Sequence, residues 1–222
     1  ESELEDTIFT YQELLRQAMR RIGRDGIDRL VIDVSLNTGG MAENVFYTLD
    51  YLTDKPVDIT YTYLITDECR EKAKNNVDRS PYLSEADREY MMRYIDSVPV
   101  RRMRYLPQRP THGYDGEVYV LTSHQTYSAA QMFARYCQVL GVGKVAGQHC
   151  GGYNAVTGNA ARVELPVSRW MQFQVPFREE VISPDDEPYA YPTMDIPIEH
   201  PFEEWLHREN RSLERLLRMI EE

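Results

Sequence analysis

Apolar residues recur at helical spacing near the start of the chain, at Tyr11, Leu14, Leu15, Ala18, Met19 and Ile22, and this stripe predicts an amphipathic helix. Thr10 followed by Glu13 reads as a capping box at its beginning, and Gly23 as its stop. The period then changes. "RLVIDVS" (29–35) is a near-continuous, β-branched run of the kind found in strands covered on both faces. It opens into the glycine-bearing turn "LNTGGMAEN" (36–44), and a helix is expected from about Ala42 to Leu52.

The same order returns later in the chain. "EVYVLT" (117–122) reads as a strand, "SHQTY" (123–127) as a turn, Ser128 to about Leu140 as a helix, and "GVGKVAGQ" (141–148) as the next strand. Between the two repeats, residues 54–110 are charged, helix-compatible and weakly apolar, and are expected to form an insertion or lid. From Gly151 onward apolar and polar residues alternate between turn signals, as in antiparallel strands or hairpins. Residues 201–222 read as one amphipathic C-terminal helix with Trp205, Leu206, Leu213, Leu216, Leu217 and Ile220 on its apolar side. Strand, turn and helix in this order predict a single layered α/β domain over residues 1–222, with a partly parallel sheet flanked by helices.

Composition narrows the partners. With 25 Lys+Arg against 36 Asp+Glu the net charge is −11, which repels a polyanion and excludes nucleic acid as the main partner. No apolar run approaches the ~20 residues of a membrane span. Cys69, Cys137 and Cys150 are too widely spaced for a disulfide framework or for paired metal ligands, and nothing in the pattern fixes an oligomeric state. The opening "ESELEDT", without an initiator Met or an apolar leader, is compatible with a removed leader or upstream domain. Arg101, Arg102, Arg104 and Arg109 cluster within the insertion, where they suit a substrate carboxylate or, alternatively, a solvated face paired with the chain's excess acids.

The candidate chemistry lies in "TYSAAQ". A serine hydroxyl needs a base to take its proton and donors to hold the oxyanion it creates. Ser128 precedes a predicted helix, where the Ala129 N–H is unpaired and lies in the positive field of the helix end. A second donor can come from the turn carrying Gly39 and Gly40, whose missing side chains allow close backbone approach. Taken alone, a serine before a helix reads as its N-cap; Ser128 is expected to cap this helix, and the same placement aims the Ala129 N–H at an oxyanion, so capping and catalysis are compatible.

Together these segments resemble the C-terminal processing and tricorn-core serine peptidases. "LVIDVSLNTGG" is similar to that family's "hydrophobic-I-D-L-R-x-N-x-G-G", with Ile32, Asp33, Asn37, Gly39 and Gly40 matching. "YDGEVYVLTSHQTYSAAQMFA" resembles its "F-x-G-x-V-x-V-L-T-x-x-x-T-x-S-A-A-E-x-F-A", "VAGQHCGGYNAVTG" its "I-G-E-x-T-G-G", and "YPTMDIPIE" its loose "G-V-x-P-D-I-x-V". The resemblance implies a crotonase and Clp-protease type of layered spiral core and hydrolysis of peptides or unfolded proteins through an acyl-enzyme on Ser128. Ala129 and Gly39 or Gly40 would supply the oxyanion hole. It implies no cofactor and no metal, and an extracytoplasmic (periplasmic or secreted) setting.

Several positions depart from the family pattern. One branch activates its serine with a lysine in "F-G-K-G", and Tyr153 holds that place here; a phenol, protonated at neutral pH, is a poor proton acceptor. "CGG" (150–152) resembles the tricorn-type branch, whose base is a histidine upstream of the core, and this chain has no histidine before His112. The resemblance therefore implies a base outside this segment, or a homologue without one that binds peptides. Within the chain, His149 and then His124 are the candidate bases, ahead of His112, His200 and His207, with exposed loop residues as the competing reading. Gln131 replaces the family's glutamate, and Glu187 and Asp195 stand near an acidic position that some relatives use to orient the site. Cys150 is a lesser candidate nucleophile because no helix follows it. A crotonase-like acyl-CoA enzyme accounts for the glycine turn but gives no reason for "T-Y-S-A-A".

Overall fold

A computed structural model describes residues 10–63, 67–79, 84–97, 100–164, 172–207 and 209–221. In chain order its elements are α1 (Tyr11–Arg24), β1 (Arg29–Asp33), α2 (Glu43–Leu52), β2 (Val57–Tyr63), α3 (Asp67–Arg79), α4 (Glu85–Ser97), β3 (Val100–Tyr105), β4 (Glu117–Thr122), α5 (Ala129–Val139), β5 (Lys144–Gly147), β6 (Ala155–Glu164), β7 (Gln172–Val181), β8 (Ile196–Pro197), α6 (Phe202–His207) and α7 (Ser212–Glu221). They form two compact units. The first comprises Glu1–Val57, Tyr105–Gly152 and Tyr191–Glu222, and the second Asp58–Arg104 and Tyr153–Ala190.

The first unit is built on a parallel sheet in the order β1-β4-β5-β8. Every residue of β4 after Glu117 is buried, as its β-branched and aromatic composition requires of a strand with helices on both faces. Tyr119 and Leu121 project to one face, where they pack with Ala146, Ile198 and Leu216 of α7. On α5, Met132, Phe133, Tyr136 and Cys137 are buried, and the helix packs on β4, β5 and α2. β1, expected to be covered on both faces, is only half-buried, because it borders the sheet while β4 lies inside it.

Local chemistry sets the helix ends. Thr10 Oγ1 accepts the Glu13 N–H at 3.3 Å, but the reciprocal half of the capping box is missing: the Glu13 carboxylate accepts from Arg16 and Gln17 instead. α1 runs through Gly23, and the chain reverses at Gly26, whose φ of +62° only glycine adopts without strain. The expected single C-terminal helix is two. Asn210 Oδ1 accepts the Ser212 N–H at 3.1 Å, a cap-like bond that starts a new helix in place of continuing the old one. Nothing is described of the Trp205 side chain.

Glu204 and Arg215 tie α6 to α7, with Arg215 Nη1 donating to Glu204 Oε2 at 2.9 Å. The hydrogen-bonded guanidinium holds the Glu204 carboxyl below its ordinary pKa. A carboxyl depressed in the folded state adds stability above its unfolded pKa, and that stability is lost as pH falls through the folded value. Glu204→Gln is therefore expected to flatten the acid limb of the melting temperature plotted against pH. An unchanged limb would show that the pair contributes nothing.

The second unit carries a sheet in the order β3-β2-β7-β6, with β7 antiparallel to both neighbours. The alternation read after Gly151 corresponds to the β6–β7 pair; residues 165–171 between them lie outside the described residues. Residues 58–104, from the stretch expected to be an insertion or lid, contribute β3, most of β2, and the helices α3 and α4 to this unit. Arg104 of the basic cluster forms a fork to Asp58 at 2.7 and 2.9 Å. In the first unit, Arg109 pairs with Asp115 and the Tyr114 carbonyl. Both partnerships fit the solvated-face reading of that cluster.

Candidate active site

Parallel pairing of β1 with β4 aligns Ile32 with Val120 and Asp33 with Leu121, so the turns that follow the two strands leave the sheet side by side. Hydrogen bonds then fasten one turn to the other. The Ser123 hydroxyl donates to the Ser35 carbonyl at 2.5 Å, and Thr126 Oγ1 donates to the Val34 carbonyl at 2.8 Å while accepting the Ser123 N–H at 2.9 Å. The Tyr127 N–H reaches the Asn37 carbonyl at 3.1 Å. Thr126 is fully buried, so its bond to the Val34 carbonyl is made away from competing water.

Ser128 follows immediately and adopts φ +52°, ψ −124°, the only positive φ outside glycine among the described residues. An N-cap residue is normally extended and accepts a backbone N–H two or three residues on. Ser128 holds the N-cap position of α5 but does neither: its hydroxyl makes no capping bond, so the expected side-chain cap is not formed. A non-glycine residue held at such a φ costs about 1–3 kcal/mol and persists only where its surroundings fix it.

Gly39 lies directly against this serine. A methyl group built on it would stand 2.6 Å from Ser128 Cβ, 2.8 Å from the Tyr127 carbonyl oxygen and 3.1 Å from the Ala129 nitrogen. Gly39, with φ +106°, donates its N–H to Asn37 Oδ1 at 2.9 Å. The N–H groups of Gly40 and Ala129 have no acceptor among the described residues. Asn37, Thr126 and Ser123 thus shape the site, though they had no assigned role in the sequence reading. Asn37 and Thr126 fall on matched motif positions; Ser35 and Ser123 fall on unmatched ones and gave no signal.

The loop after β5 packs on the same turn. The Gln148 N–H donates to the Thr122 carbonyl at 3.2 Å and the Gly151 N–H to the Thr126 carbonyl at 2.9 Å. A methyl group on Gly152 would meet Gln131 Oε1 at 2.5 Å, so the buried Gln131 amide fills the space beside the second glycine of "CGG". Cys150 is 1% exposed, and desolvation pushes its thiol up to about 12, which leaves it protonated and out of reach as a nucleophile. Asp195 accepts from the Val145 N–H and the Gln138 amide, and the Glu187 carbonyl accepts from Asn154. Among the described residues no histidine hydrogen-bonds to Ser128: His149 Nδ1 faces the Cys150 carbonyl, His200 the Ser212 hydroxyl, and His112 the Thr111 hydroxyl.

These features define a mixed α/β protein whose parallel sheet carries a strained serine turn and a glycine turn on adjacent strands. The chain belongs to Peptidase family S41, whose sequence profile matches residues 4–178. No curated protein matches it. Its fold is similar to that of mature CPAF, with 14% identity, a TM-score of 0.62, and 88% of this chain and 44% of that chain covered. It is also similar to the photosystem II D1 C-terminal processing protease (16%, 0.54, 85% and 39%) and to a putative peptidase from Parabacteroides merdae (15%, 0.56, 97% and 58%). The chain thus spans from 39% to 58% of the length of these three structures. The α/β class read from the sequence, with a partly parallel sheet flanked by helices, is the one observed. No described helix is long and apolar enough to cross a membrane.

Proposed function

We propose that this chain is the nucleophile-bearing part of a serine-type peptidase that cleaves peptides or unfolded proteins through an acyl-enzyme on Ser128. The observation that carries the proposal is the strained, uncapped Ser128 with Gly39 pressed against it. In this reading Ser128 Oγ attacks the scissile carbonyl carbon, and its proton passes to a base. The carbonyl oxygen becomes an oxyanion held by the Ala129 N–H and a second donor from the glycine turn. Because the Gly39 N–H is engaged by Asn37, we assign that second donor to Gly40. Gly39 then contributes its lack of a side chain. The intermediate collapses to an ester on Ser128 with release of the amine, and water hydrolyses the ester. We place the base outside residues 1–222, since none of the five histidines reaches the Ser128 hydroxyl among the described residues.

A serine-directed phosphonate tests this on the full-length polypeptide. The expected result is a single modified residue, Ser128, with labelling lost in a folded Ser128→Ala variant. A full-length protein that stays unlabelled while an active relative reacts would sink the catalytic reading and leave a peptide-binding homologue.

A further inference from the structure

We propose that Thr126 is a positioning residue for Ser128. Its hydroxyl ties the serine turn to the turn that follows β1, and its carbonyl ties both to the loop after β5. This role rests on the peptidase reading above and adds to it a residue that no substrate touches.

Every polar group of Thr126 is engaged. Its N–H donates to the Ser123 carbonyl at 2.9 Å, and its carbonyl accepts the Gly151 N–H at 2.9 Å. Oγ1 donates to the Val34 carbonyl at 2.8 Å and accepts the Ser123 N–H at 2.9 Å. The Val34 carbonyl also accepts the Asn37 N–H at 3.0 Å, so one oxygen carries both the start of the glycine turn and the tie to the serine turn. Thr126 is 0% exposed, which keeps it out of reach of a bound peptide. Its branched side chain has few rotamers, so the hydroxyl holds one direction.

The segments joined at Thr126 leave little room for a shift. Tyr127, the next residue, donates its N–H to the Asn37 carbonyl at 3.1 Å, and Gly39 closes on Ser128 itself. A methyl group on Gly151 would overlap the His124 carbonyl oxygen, so the loop after β5 lies backbone to backbone against the serine turn. Without the hydroxyl, the Ser123 N–H loses its acceptor and the Val34 carbonyl keeps one donor in place of two. Unmade bonds of this kind are costly, and the turns relieve them by moving. Such movement displaces Ser128 and Ala129 relative to Gly40, and a misplacement of about 1 Å at a reacting centre costs about 10²-fold in rate.

In the full-length polypeptide, Thr126→Val keeps the shape and removes both hydroxyl bonds, whereas Thr126→Ser keeps them. Phosphonate labelling of Ser128 should slow about 10²-fold in Thr126→Val and recover in Thr126→Ser. The loss should fall on the maximal labelling rate and leave the half-saturating phosphonate concentration unchanged, because Thr126 touches no ligand. Amide hydrogen exchange reads the joint without catalysis. The Tyr127 and Gly151 N–H groups, whose backbone acceptors survive the substitution, should exchange about tenfold faster in Thr126→Val, while the Ile198 N–H, bonded to the Gly147 carbonyl, keeps its rate. Should Thr126→Val fail to fold, Thr126→Cys replaces it, since a thiol is a weak donor and acceptor. Parental labelling in Thr126→Val, a change in half-saturation alone, no recovery in Thr126→Ser, or Tyr127 and Gly151 amides that do not outpace Ile198 would overturn the role. A parent protein that never labels sinks the peptidase reading instead, and the exchange rates still decide whether Thr126 holds the three segments together.

Discussion

Gly39→Ala should slow phosphonate labelling of Ser128 by about 10²–10³-fold, an effect of the size seen when one oxyanion donor is removed. It should also destabilise the fold by about 1–3 kcal/mol. The added methyl has nowhere to go: its nearest neighbours are Ser128 Cβ at 2.6 Å and two backbone atoms, none of them the free end of a flexible side chain. Gly39 is also held at φ +106°, where any L side chain is strained. Relief requires the two turns to part, and parting them moves Ser128 and Ala129 relative to Gly40. Gly40→Ala is a useful contrast, because a methyl there meets no atom within 4 Å and adds backbone strain alone. Labelling rates and urea unfolding of both variants measure the effect. Wild-type labelling in Gly39→Ala would show that the glycine turn is not what shapes the serine.

Ser128→Gly should abolish labelling and, unusually for an active-site substitution, raise stability. Holding serine at φ +52° costs about 1–3 kcal/mol, which glycine does not incur. Glycine's greater freedom in the unfolded chain offsets about 0.5–1 kcal/mol of that gain. The net expectation is a protein about 1 kcal/mol more stable than the parent, whereas Ser128→Ala keeps the strain and gains nothing. Chemical denaturation of the three proteins separates these cases. If Ser128→Gly proves less stable than Ser128→Ala, no strain is stored at this position.

The comparison of sequence with structure follows the range of the forces involved. Elements with a strong local period, such as α1, α2, β4 and α5, lie where the pattern puts them to within a few residues. The strands β2 and β3 escaped notice inside a charged stretch, because the sheet that contains them is completed by β6 and β7, many residues later. The break between α6 and α7 depends on one side-chain bond from Asn210, which an amphipathic stripe does not register. At the site, "T-Y-S-A-A" marked Ser128 and Ala129, and "TGG" marked the glycine turn. Whether Ser128 caps its helix was not legible, since cap and nucleophile share the same letters and differ only in backbone angle. Nor was the division of labour between Gly39 and Gly40, which rests on where the Asn37 side chain points.

The bonds that join the two turns have a consequence for the order of events in a newly made chain. Ser123 and Thr126 reach carbonyls 88 and 92 residues earlier. Contacts of such separation form only after the entropy of closing a long loop has been overcome, so they come late in folding. During synthesis the glycine turn leaves the ribosome long before Ser128 exists, and Ser128 before β5 and β8 close the sheet. The bonds that hold the serine turn therefore form only after residues 34–39 and 123–127 have both been made and brought together. On the proposed function, the serine would gain its reactivity only once both turns are in place, so reactivity would arrive with assembly of the domain rather than with synthesis of the residue.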